Sequence, residues 1–110
     1  MRISSTLALI LIAAAFFLPD TATAQMPPGA QRGRIFAQAN CAHCHAVGKT
    51  GESPLKLAPA FRTLHLKYPV ENLEEAMAEG IRTGHPNMPA FQLDPGQISD
   101  LIAYLKTLEP

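Results

Sequence analysis

The sequence predicts a small all-α domain of three to four helices. Apolar residues recur at helical spacing in three separate stretches. Start and stop signals bracket those stretches, and no segment alternates as a half-buried strand would. The chain has no internal repeat, and 110 residues suit one domain.

The first 24 residues stand outside that domain. Arg2, the uncharged apolar run Leu7 to Leu18 and the small residues Ala22-Thr23-Ala24 read as a secretory signal peptide cut before Gln25. An uncleaved anchor fits less well, because the run has 12 residues and a spanning helix takes about 20. No cysteine precedes Cys41, which leaves no site for lipid attachment at a processed N-terminus. The remaining 86 residues can bury only a modest core. A large apolar cofactor at the centre would give the helices something to pack around.

Residues 25–29, with Pro27, Pro28 and Gly29, look like a flexible lead-in to a domain spanning 30–110. From about Ala30 the pattern turns helical, with Ile35, Phe36 and Ala39 at helix-face spacing up to Cys41. Gly48 to Pro59, with its glycines and prolines, reads as an ordered loop. Leu73, Ala76, Met77 and Ile81 form a second stripe, preceded by Pro69 and closed near Gly80. His85 to Pro95 is a further loop. The last helix has the clearest signals: Asp94 as N-cap, Pro95 at the first helical position and Gln97 to complete a capping box. Ile98, Leu101, Ile102, Leu105 and Leu108 then share one face.

The formal charge is zero, so the chain lacks the cationic excess with which nucleic-acid binders neutralise phosphates. The charge is unevenly spread: residues 32–67 carry six cations against one acid, and residues 68–110 two against seven. Such a dipole can orient a partner during encounter, and it can equally be a set of ordinary solvated faces.

The chemistry lies in Cys41-Ala42-His43-Cys44-His45. A Cys-x-x-Cys-His run reads as a site of covalent haem attachment. At about 100° per residue, Cys44 and His45 lie about 300° and 400° around a helix from Cys41, so the three side chains share a face. Two thiols then reach two vinyl groups on one porphyrin edge, and the imidazole approaches the iron. Competing readings are a thioredoxin-like redox pair, a structural zinc site, a plain disulfide and chance. The redox pair lacks the expected strands and the disulfide leaves His45 unexplained. Zinc needs four ligands, and the spacings of His43, His45, His65 and His85 match no common finger.

A six-coordinate iron needs a second ligand, for which Met and His are usual in electron carriers. Met77 sits on an apolar helix face, Met26 in the lead-in, and His43 and His65 read as surface or core residues. Met88 stands in the stiff segment Gly84 to Phe91, where Pro89 biases it towards an extended backbone. It is the first candidate, His85 the second, and a buried loop residue without a ligand role is the alternative for Met88.

Together these residues resemble the class I cytochrome c family over essentially all of 29–110, in a compact bacterial monohaem form. Gly33 and Phe36 precede Cys41 as in the family's N-terminal helix, and Met88-Pro89 resembles its axial methionine segment. Pro59 resembles the proline whose carbonyl accepts a hydrogen bond from the ligand imidazole. Tyr104 resembles the aromatic position of the C-terminal helix, which crosses the first helix at Gly33. The resemblance implies a periplasmic one-electron carrier with one haem c on Cys41 and Cys44, iron held by His45 and Met88, and Pro59 orienting His45. Its partners would be larger redox proteins as donor and acceptor, with no nucleic acid and no membrane segment after leader cleavage. The alternatives are a cytochrome subunit of a periplasmic dehydrogenase or oxidase, a haem sensor with Met88 unbound, and a haem-free thiol or metal domain.

Overall fold

A computed structural model describes residues 24–80, 88–90 and 92–110; the proposed leader, Ile81, His85 and most of the loop before Met88 lie outside them. The described residues form three α-helices, α1 (Pro28–Asn40), α2 (Leu73–Glu79) and α3 (Pro95–Lys106), with 3-10 turns at Phe61–Leu66 and Val70–Asn72. Among the described residues there is no strand.

Helix α1 starts at Pro28, two residues before the apolar pattern suggests. Proline suits the first turn, since its missing N–H would have no helical partner there. The helix ends where the Cys41 N–H reaches the Ala37 carbonyl at 2.8 Å. Its buried face differs from the one read in the sequence. Ala30, Gly33 and Ala37 are buried, Ile35 is 66% exposed and Ala39 is also exposed. Of the expected face only Phe36 packs against the core. Close approach to α3 explains the correction, because a face of small residues lets two helix backbones nearly touch. A Cβ built on Gly33 would lie 2.0 Å from the Asp100 carbonyl oxygen and 2.9 Å from the Tyr104 Cβ. The crossing is clasped outside by Arg32, whose Nε and Nη2 donate to the two Asp100 carboxylate oxygens at 2.7 and 2.8 Å.

Helix α3 forms as its capping signals predict. The Asp94 carboxylate accepts from the Gln97 N–H at 2.9 Å, and the Gln97 side chain accepts from the Asp94 N–H at 3.1 Å. Ile98, Leu101, Tyr104 and Leu105 are buried along it, and Leu108 just beyond. Helix α2 has only seven residues; Met77 faces the core, and Glu74 and Glu75 favour its positive N-terminal end. Gly80, at φ +93°, ends it in a conformation that side chains rarely adopt.

The core is thin: among the larger side chains of the described residues only Leu105 and Val70 are completely sealed. Among the described residues no polar or charged residue is buried. The loop from Gly48 to Pro59 is ordered by hydrogen bonds back to the segment after Cys44. The Leu55 N–H reaches the Cys44 carbonyl at 3.1 Å, and the Ala46 N–H reaches Ser53 Oγ at 3.0 Å. Leu57 in this loop is 83% exposed.

Candidate functional site

The turn after α1 places the cysteines and His45. The N–H groups of Cys44 and His45 both reach back to the Cys41 carbonyl, at 3.2 and 3.0 Å. The chain therefore winds once more beyond the helix, and side chains three and four positions apart emerge on the same side. Cys41 and Cys44 are both free thiols and both half-buried. Burial pushes the Cys41 thiol up to about 11, so it is held neutral. Among the described residues no three His, Cys, Asp or Glu side chains converge as a metal site would need.

His45 is held from two sides. Its Nδ1 lies 2.7 Å from the Pro59 carbonyl oxygen, a contact between residues 14 apart. A carbonyl can only accept, so Nδ1 carries the proton and Nε2 keeps its lone pair free for a metal. The Phe61 ring lies against the imidazole with centroids 5.2 Å apart and planes tilted by 50°. Phe61 is itself fixed by its N–H on the Ala46 carbonyl at 2.9 Å. The segment after His45 has one more tie: the Tyr104 hydroxyl donates to the Val47 carbonyl at 2.5 Å.

The structure brings Cys41, Cys44, His45 and Pro59 together. Met88 is described and half-buried beside exposed Pro89 and Ala90, and His85 lies outside the described residues. Met26 and Met77 belong to the core and its margin. Phe61, Ser53 and the Tyr104 hydroxyl are contributors that sequence reasoning missed. Phe61 alone had a signal, its place two residues after Pro59.

The donor set fits a covalent haem. Cys41 and Cys44 are both free thiols, and each S–H could add across one vinyl double bond, sulfur to one carbon and hydrogen to the other. An imidazole locked through Nδ1 offers one lone pair in a fixed direction. A core this thin also leaves room for an apolar group to supply burial.

Comparison with known proteins agrees. The cytochrome c family matches residues 30–109. A cytochrome c6 of Picosynechococcus sp. is 37% identical over 106 residues, covering 90% of this chain and 87% of its own. A cytochrome c6 of Nostoc sp. is 33% identical, covering 88% and 86%. A cytochrome c-553-like protein of Synechocystis sp. is 33% identical over 79 residues, covering 72% and 69%. No solved structure matches the chain significantly. With its paired thiols and locked imidazole, the chain belongs to the cytochrome c family, a haem-based electron carrier with covalent haem c.

Proposed function

We propose that this cytochrome is exported to the periplasm and shuttles single electrons between larger redox proteins, with His45 and Met88 as axial ligands. The observation that carries the reading is the His45 Nδ1 contact with the Pro59 carbonyl at 2.7 Å. It presents Nε2 as a ligand and raises its basicity. The haem supplies a one-electron iron couple. Cys41 and Cys44 keep it attached in an open compartment, and Phe61 covers one side of the imidazole. Met88 contributes a soft thioether that favours the reduced state and raises the potential. If both His45 and Met88 hold the iron, it would offer no open site to oxygen or peroxide, which suits transfer rather than catalysis. Export is supported by the leader pattern of residues 1–24 and by a family match that begins at residue 30. Among the described residues no helix is long and apolar enough to cross a membrane.

The test is an optical spectrum of periplasm-expressed protein, oxidised and reduced, before and after denaturing solvent extraction. The expected result is haem that resists extraction, with the weak near-infrared sulfur-to-iron band in the ferric form. Attached haem without that band would remove Met88 from the role.

A further inference from the structure

Three polar backbone groups immediately after His45 are each taken by a different part of the fold. The Ala46 N–H is held by Ser53 and the Ala46 carbonyl by the Phe61 N–H. The Val47 carbonyl is held by the Tyr104 hydroxyl at 2.5 Å, across 57 residues. The first two ties come from the neighbouring loop and turn. Only the third reaches α3, and it does so from a ring that is 3% exposed and packed where α1 and α3 nearly touch at Gly33.

We propose that Tyr104 is a positioning residue for the haem ligand. Its hydroxyl anchors the segment carrying His45 to the helix crossing, and so keeps the His45–Pro59 hydrogen bond short. This rests on His45 being the iron ligand. The donor is permanent, because burial pushes the Tyr104 phenol above its ordinary range, though nearby Arg34 partly opposes that. Without the hydroxyl, the Val47 carbonyl loses its partner and the segment can drift from Pro59. A weaker hydrogen bond at Nδ1 makes the imidazole a poorer donor and stabilises ferric iron less.

The experiment compares the haem-loaded parent with Tyr104→Phe and with Ile98→Val, which trims a buried side chain six residues earlier on the same helix. Redox titration is expected to show the ferric-to-ferrous ratio of Tyr104→Phe, at fixed ambient potential, lowered at least about twofold. The ferric NMR resonances of the His45 ring should move with it, and Ile98→Val should leave both unchanged. Equal potentials and unshifted His45 resonances in Tyr104→Phe would overturn the proposal even if the variant melts earlier. So would the same shift in Ile98→Val. Failure of haem attachment in the parent would instead strike the functional reading itself.

Discussion

Replacing Gly33 with alanine adds one methyl group where two helices nearly touch. The new Cβ would sit 2.0 Å from the Asp100 carbonyl oxygen and 2.6 Å from its carbon. An ordinary carbon–oxygen contact is about 3.3 Å or longer, so the overlap is over about 1 Å. The atoms it meets are helix backbone, which cannot swing aside as a flexible side chain can. The helices must part, and the Arg32–Asp100 fork and the Tyr104–Val47 bond are strained with them. An extra methylene in a tight core costs about 1–3 kcal/mol, and a rigid neighbour puts this case at or above the top of that range. Alanine's better helix propensity returns about 1 kcal/mol. The expected net loss is about 2 kcal/mol or more, a fall in Tm of roughly 8–16 °C for a domain of this size. Thermal unfolding of the haem-loaded protein, followed by far-ultraviolet circular dichroism, measures it. Gly48→Ala is the control, since its Cβ meets nothing within 4 Å. It should be neutral or up to about 1 kcal/mol more stable. A Gly33→Ala protein melting within about 2 °C of the parent would refute the close-approach argument.

Asp94→Ala removes the side-chain acceptor of the capping box and should cost about 0.5–2 kcal/mol in urea unfolding; no change would mean that solvent caps α3 equally well. Met88→Ala should leave the haem attached, lower the reduction potential and let the reduced protein bind carbon monoxide rapidly; an unchanged potential would exclude the thioether. The Arg32 guanidinium holds the Asp100 carboxyl below its usual value of 3.8. A depressed carboxylate stabilises the fold fully above that pH, and the contribution is lost as the pH falls through the lower folded value. The stability gap between parent and Asp100→Asn should therefore be constant at pH 5–7 and shrink only below about pH 3.8, as urea midpoints across that range would reveal. A gap that closes already at pH 5 would contradict it.

Much of the molecule was legible because its signals are local. The Cys41–His45 run, the Asp94–Gln97 capping box and the glycine that ends α2 each act within about one turn of chain, where sequence distance and spatial distance agree. For the same reason the helix positions followed from spacing. The buried side of α1 did not. Ile35 is the bulkier apolar residue, but the crossing selected Ala30, Gly33 and Ala37, because backbone approach to α3 favours small side chains over large ones. No local pattern states which partner a helix will meet or how near it will come. The contacts that set the haem ligand are of the same kind. Pro59 was suggested only by family resemblance and Phe61 only by its place two residues further on, and nothing in the sequence indicated the Tyr104 hydroxyl on Val47. The sequence by itself determined the run that fits covalent cofactor attachment and, to within about two residues, where the helices lie. Only the tertiary structure decided how His45 is held, because that depends on three segments far apart in the chain meeting at hydrogen-bond distance.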